Sequence, residues 1–133
     1  MPTELLYLIS AVGLYLFMIV MQAVSATVSR KASISDLVGA RDEMPTAGLT
    51  VFHGRTKRAQ ANFTESMVMF VPLCLIVVYS NETSSLTALG AALFFYGRLV
   101  FAPCYYFGVP WLRTLAWFVS IIGILLFFVE LLN

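Results

Sequence analysis

The 133-residue sequence contains little charge and few side chains that bind metals. Only 11% of its residues are charged, whereas soluble domains carry roughly 25%. One histidine and two cysteines are too few for a typical structural metal cluster, so no metal is expected. The basic residues form no patch on a soluble face, so no nucleic-acid partner is expected.

Apolar residues are abundant instead. They make up 60% of the chain, and the mean hydropathy is +0.89. This composition predicts a membrane protein. The length leaves room for a single domain over residues 1–133.

Four apolar segments are each long enough to cross a bilayer, which takes about 20 residues. They lie at residues 5–29, 55–80, 84–107 and 111–132. The first is longer than the apolar part of a signal peptide, about 7 to 15 residues, and no basic segment precedes it. We therefore interpret it as a span rather than a cleaved leader. The sequence predicts an all-α integral membrane protein built as a bundle of four transmembrane helices.

The basic residues lie on one side of this layout. They flank the connection from the first span to the second and the connection from the third to the fourth: Arg30, Lys31, Arg41, Arg55, Lys57, Arg58, Arg98 and Arg113. Because lysine and arginine are enriched in cytoplasmic loops, this side is predicted to be cytoplasmic. Both termini are then expected on the other side, together with Glu4, Glu82 and Glu130.

A polar stripe opens the second span. Arg58, Asn62 and Glu65 follow steps of four and three residues, so they share one helix face. Ionisable groups at membrane depth are costly and usually pair or bind a ligand. Glu65 and Arg98 lie at matching depth on neighbouring antiparallel helices, so an ion pair between them is predicted. Two interpretations stay open: the pair only locks the bundle, or the excess of cations, which includes Arg113, binds a small anion carrying carboxylates.

The third and fourth spans add further candidates. Tyr105 lies seven residues after Arg98, on the same helix face. Arg113 lies in the first turn of the fourth span, where a cation is unfavourable. Its position favours either contact with lipid headgroups or a functional role. Trp117 is predicted to be an interfacial aromatic residue, and His53 is predicted to lie in a loop or near headgroups.

One motif and several later positions carry a family resemblance. They are the run GRTKRAQANFTE at 54–65 and, further on, Gly97, Arg98, Tyr105, Gly108, Pro110 and Arg113. This set resembles the MAPEG superfamily, the membrane-associated proteins in eicosanoid and glutathione metabolism, and most closely its bacterial-type members similar to microsomal glutathione transferases. The resemblance implies a homotrimer in a bacterial inner membrane, with glutathione bound as co-substrate between protomers near the cytoplasmic face.

The resemblance also implies roles for individual residues. The expected glutathione-binding residues are Arg30, Arg58, Asn62, Glu65, Arg98 and Tyr105. Arg113 is expected to be catalytic by stabilising the glutathione thiolate. A guanidinium lowers the pKa of an adjacent thiol, and each unit corresponds to about 1.4 kcal/mol. The expected function is therefore a glutathione-dependent membrane transferase or peroxidase that acts on lipophilic electrophiles or hydroperoxides reaching the site from membrane lipid.

Two positions depart from the family pattern. Ser66 replaces a tyrosine of the leukotriene-synthase branch, and Phe101 stands where histidine or tyrosine is frequent. These departures leave the second substrate open. Two alternatives to this function stay open: a non-catalytic scaffold that binds lipid or glutathione, and a small proton-coupled exporter that uses Glu65 as its proton site.

Overall fold

The computed structural model describes residues 1–28 and 51–133, and these residues form four helices. Helix α1 spans Thr3–Val28, α2 spans Val51–Tyr79, α3 spans Ser85–Tyr106 and α4 spans Pro110–Leu132. Each is long and apolar enough to cross a membrane. The predicted all-α architecture with four membrane-spanning helices is confirmed.

The two ends of the bundle differ in charge. The acidic end contains the start of α1 and the turn between α2 and α3, and it carries Glu4, Glu82 and Glu130. The basic end contains the start of α2 and the turn between α3 and α4, and it carries Arg55, Lys57, Arg58 and Arg113. Among the described residues, the structure therefore keeps the charge separation that the sequence predicts.

Stacked aromatic rings fill the centre of the bundle. Phe70 of α2 stacks on Phe94 of α3, with ring centroids 3.9 Å apart. Phe127 of α4 meets Phe70 edge-on at 6.0 Å. All three side chains are fully buried. Offset and edge-on aromatic contacts add to the dispersion energy of such a core, so this cluster joins three of the four helices.

Small residues bring α3 and α4 close together. A Cβ atom on Gly123 would lie 2.7 Å from the backbone nitrogen of Phe94, and one on Gly97 would lie 2.9 Å from the backbone nitrogen of Ser120. Helices in membranes associate through such close backbone contacts. This packing fixes α4 against the helix that carries Arg98.

The first turn of α2 corrects one prediction. His53 lies inside the helix and is buried, rather than in a loop or near headgroups as predicted. Its Nδ1 lies 2.9 Å from the Ser25 hydroxyl of α1, and that hydroxyl lies 3.1 Å from the Thr56 hydroxyl. The Ser25 hydroxyl thus gives the buried imidazole a polar partner on the neighbouring helix. The contact joins the end of α1 to the start of α2.

Candidate functional site

Arg98 is the most deeply buried cation among the described residues. It lies on α3 and is 1% exposed. One terminal guanidinium nitrogen, Nη1, donates a hydrogen bond of 2.6 Å to Oδ1 of Asn62 on α2. Charge-assisted hydrogen bonds of this kind are short and strong. The bond ties the third helix to the polar stripe of the second.

Three aromatic rings surround the same guanidinium. Its Cζ atom lies 4.9 Å from the ring centroid of Phe101, 5.8 Å from that of Phe63 and 5.9 Å from that of Phe94. A cation within about 6 Å of a ring face is attracted by the quadrupole of the ring. The rings therefore offset part of the cost of removing the charge from water, and they restrict the orientation of Arg98.

The predicted ion pair between Arg98 and Glu65 is replaced by another contact. Arg98 donates to Asn62 instead, and no salt bridge joins Arg98 to Glu65 in the part of the chain that the structure describes. A step of three residues rotates Glu65 about 60° from Asn62 around the helix. As a result the Glu65 carboxylate lies on the exposed face of α2. Its interaction with Arg98 is a longer-range electrostatic attraction without a hydrogen bond.

A tight turn places Arg113 at the basic end. The Val109 N–H donates to the carbonyl of Cys104 at 2.8 Å, and the Gly108 N–H donates to the carbonyl of Tyr105 at 3.3 Å. This is the Schellman arrangement, which requires a left-handed residue, and Gly108 has a φ of 72°. The chain reverses there and α4 starts at once, so Arg113 returns towards the last turns of α3.

Arg55 supports this turn from α2, a role that the sequence did not reveal. Its Nη1 donates to the backbone carbonyl of Tyr106 at 3.4 Å. A Cβ atom on Gly108 would lie 2.8 Å from Nη2 of Arg55. A cation is favourable at the C-terminus of a helix, where carbonyl groups are unpaired. Arg55 therefore packs against the turn that orients Arg113.

The side chains of Arg113 and Tyr105 lie together. The Arg113 Cζ atom is 4.8 Å from the ring centroid of Tyr105. That ring lies 5.4 Å from the ring of Phe101. Both Arg113 and Tyr105 are half-buried, so the guanidinium is held against an aromatic face while part of it stays accessible to a ligand.

An open cavity of about 270 Å³ lies between these elements. Its lining residues come from α2, α3 and α4: Asn62, Phe101, Tyr105, Arg113, Thr114 and Trp117. The lining combines polar side chains with aromatic ones. Such a combination suits a ligand with both charged and apolar parts.

The structure brings together only part of the predicted site. Asn62, Tyr105 and Arg113 line the cavity, and Arg98 adjoins it through its bond to Asn62. The predicted ligands Arg58 and Glu65 lie on the exposed face of α2 and do not line the cavity. The predicted ligand Arg30 lies outside the described residues.

Three cavity residues had no predicted role in the site: Phe101, Thr114 and Trp117. In the sequence, Phe101 is notable only as a departure from the family pattern, and Trp117 is predicted to be an interfacial aromatic residue, whereas the half-buried side chain of Trp117 lines the cavity. Trp117 lies four residues after Arg113 and therefore on the same helix face. That spacing was a signal that could have identified it.

The family of this chain follows from a comparison of its sequence with the profiles of known families. The MAPEG family profile matches residues 7–133. The chain belongs to the MAPEG family. No curated protein and no solved structure matches it. MAPEG membership and the four apolar helices together support a multi-pass integral membrane protein, and the family is one associated with glutathione and eicosanoid metabolism.

Proposed function

We propose that this MAPEG protein is a glutathione-dependent transferase or peroxidase acting on lipophilic electrophiles or hydroperoxides. The observation that carries the proposal is the cavity that presents Arg113 beside aromatic residues. Arg98 and Arg113 contribute two cations to this region, and neither forms a salt bridge within the described residues. Cations without a carboxylate partner in a membrane-embedded site favour an anionic ligand.

Arg113 is the proposed catalytic residue. Its guanidinium stays charged and would stabilise the glutathione thiolate over the neutral thiol. In the transferase reaction, the thiolate forms a carbon–sulfur bond while the leaving group departs with its electron pair. In the peroxidase reaction, the thiolate attacks the terminal oxygen of the hydroperoxide, the oxygen–oxygen bond breaks, and the alkoxide leaves as an alcohol after protonation. The product on sulfur is glutathione sulfenic acid. A second glutathione thiolate then attacks this sulfur and displaces hydroxide, which leaves as water after protonation, to form glutathione disulfide. The proton released from each thiol supplies one of these protonation steps.

The proposed active form is a homotrimer. Arg58 and Glu65 are exposed on one face of α2 in a single protomer. An ionised carboxylate facing lipid is costly, so a second copy covering this face would remove that cost. Glutathione would then lie between protomers, in contact with Arg58 and Glu65 of one copy and with the cavity of another. Arg30, at the end of the first span, is proposed to complete the binding site.

The proposed location is a bacterial inner membrane, with the basic end in the cytoplasm. The described cations concentrated near that end support this orientation. Glutathione is water-soluble and would reach the site from the cytoplasm. The lipophilic substrate would arrive through membrane lipid and meet the aromatic side of the cavity.

Thiolate absorbance tests the proposal directly. Adding glutathione to the purified protein should produce an ultraviolet thiolate band at neutral pH, and Arg113→Ala should remove it. Arg113→Lys is the matched variant that retains a cation. The proposal fails if glutathione neither binds nor ionises in the wild-type protein. Binding and ionisation without turnover across a broad panel of electrophiles and hydroperoxides would favour the non-catalytic scaffold.

A second candidate function is a proton-coupled exporter. It is favoured by Glu65, which forms no hydrogen bond or salt bridge in the two described ranges. An exposed carboxylate within a span can carry protons if substrate binding controls its access. The test is drug-dependent proton flux in liposomes, with Glu65→Gln as the variant. Flux that persists in this variant, or no flux in the wild type, would exclude this candidate.

A further inference from the structure

We infer that Arg98 is a positioning residue that fixes the carboxamide of Asn62, so that Asn62 presents only hydrogen-bond donors to the cavity. The inference rests on the proposed function, since it concerns which atoms of glutathione the site can accept. It also changes the role expected for Arg98, from a direct glutathione contact to a residue that acts through its neighbour.

Arg98 is shielded from the cavity. Its side chain is 1% exposed and does not line the cavity, whereas Asn62 and Phe101 do. The Phe101 ring also lies 4.9 Å from the guanidinium. The same ring therefore contacts the buried cation and lines the cavity.

The hydrogen bond with Arg98 determines which atoms of the Asn62 carboxamide are available to a ligand in the cavity. The Asn62 Oδ1 atom accepts from Nη1 of Arg98 at 2.6 Å, so the carboxamide oxygen is turned towards Arg98 and one of its two lone pairs is engaged. The Nδ2 group has no hydrogen-bond partner among the described side chains and backbone groups. The free end of Asn62 is therefore its NH₂ group, located in a residue that lines the cavity.

A fixed donor selects the chemistry of the ligand. The Asn62 NH₂ group can meet a carboxylate or a peptide carbonyl, both of which a tripeptide thiol provides. A carboxamide without Arg98 could rotate by half a turn and present its oxygen instead, which would repel the same groups. Restricting one orientation in advance increases affinity because less entropy is lost on binding.

Selective isotope labelling tests this orientation without glutathione. The sequence contains three asparagines, Asn62, Asn81 and Asn133, and the last two are exposed. Protein labelled with ¹⁵N-asparagine in lipid nanodiscs should therefore give three pairs of side-chain amide signals. The pair that disappears in Asn62→Ala should lie apart from the other two. In Arg98→Gln it should move towards the exposed pairs, whereas the control Lys57→Gln should leave it in place.

Glutathione binding gives the second readout. Asn62→Ala and Arg98→Gln should each weaken binding about tenfold, as expected for loss of one hydrogen bond to a charged group. The double variant should bind no more weakly than Asn62→Ala alone, because Arg98 acts through Asn62. Arg98→Lys, which keeps a positively charged donor, should restore part of the affinity. It also serves as the folded replacement if Arg98→Gln does not fold.

The outcomes are distinct. Binding losses that multiply in the double variant would mean that Arg98 contacts glutathione itself, and this would overturn the inference. An Asn62 signal that does not respond to either Arg98 variant would also overturn it. If the wild-type protein fails to bind glutathione, the proposed function fails. The amide spectra still decide whether Arg98 positions Asn62.

Discussion

Each end of the bundle contains a buried charged residue, and the two residues differ in how completely their polar atoms are hydrogen-bonded. At the acidic end, Glu4 is 2% exposed and its Oε1 accepts a hydrogen bond of 2.5 Å from the Thr87 hydroxyl. Thr87 also accepts from the Ser84 N–H, and Ser84 caps α3. At the basic end, Arg98 is 1% exposed, and its Nε atom has no hydrogen-bond partner among the described residues.

Helix dipoles reinforce this contrast. Glu4 lies in the first turn of α1 and contacts the first turn of α3, so it faces the positive ends of two helices. Arg113 lies in the first turn of α4, where the same effect is unfavourable. At the acidic end, the Glu4 carboxylate thus has its partners within the protein. At the basic end, positive charge without a carboxylate partner in the described ranges remains beside a cavity. Polar groups left unsatisfied by the fold are expected where a ligand binds.

Glycine substitutions should produce the largest losses of stability. Only the substitution next to Arg98 should also weaken glutathione binding. Gly123→Ala should destabilise the protein by about 3 kcal/mol, because the new methyl group meets the backbone of Gly90 and Phe94. Gly97→Ala should cost a similar amount and also weaken glutathione binding, since Gly97 precedes Arg98. Thermal unfolding and calorimetric binding measure both effects.

The control for these variants is Gly13→Ala, because a Cβ atom there meets no heavy atom within 4 Å. It should cause no loss of stability. If Gly123→Ala were as stable as Gly13→Ala, close contact between α3 and α4 would not hold the bundle together.

Removing the Glu4 carboxylate should affect stability but not binding. Glu4→Val leaves the Thr87 hydroxyl without its buried acceptor, and we expect a loss of about 2 kcal/mol. Glu4→Gln retains an acceptor and should lose less. Unfolding midpoints and glutathione affinities should be compared for both variants. A fall in affinity with Glu4→Gln would show that the acidic end is coupled to the cavity.

Removing the Arg98 charge should weaken glutathione binding without lowering stability, the reverse of the effect expected for Glu4. Arg98→Met should leave the ligand-free protein as stable as the wild type or more so, because replacing an incompletely satisfied buried charge by an apolar group is often neutral or stabilising. Glutathione affinity should fall about tenfold, or about 1.4 kcal/mol. Strong destabilisation without glutathione would instead indicate that Arg98 locks the bundle.

The smallest expected effect concerns the aromatic shield. Phe101→Leu keeps an apolar side chain but removes the cation–π contact with Arg98. We expect a loss of about 1 kcal/mol in stability. The Asn62 amide signal should broaden as Arg98 gains freedom. Leu99→Ala, at an exposed neighbouring position, is the control and should leave that signal unchanged.

Features of the site that lie within one helix were predictable from the sequence, whereas contacts between residues far apart in the sequence were not. The shared face of Arg58, Asn62 and Glu65 follows from helix periodicity. Which of these residues meets Arg98 does not, because matching depth fixes height but not rotation about the helix axis. The prediction chose Glu65 by charge, but the rotation of α2 brings Asn62 to Arg98. The contact of Arg55 with Gly108 joins positions far apart in sequence, and no local pattern signals it.

The sequence by itself determined four spans, a basic and an acidic end, and the MAPEG motif. The four spans and the two charged ends follow from composition and periodicity, which act within single helices, whereas the family resemblance rests on the particular residues of the motif. Only the tertiary structure decided that Asn62 accepts from Arg98, that Phe101 shields this cation, and that the cavity opens beside Arg113. These features depend on how each helix is rotated against its neighbours. That rotation is set by the close contacts of Gly97 and Gly123 and by the stacked aromatic core, which involve all the facing side chains together.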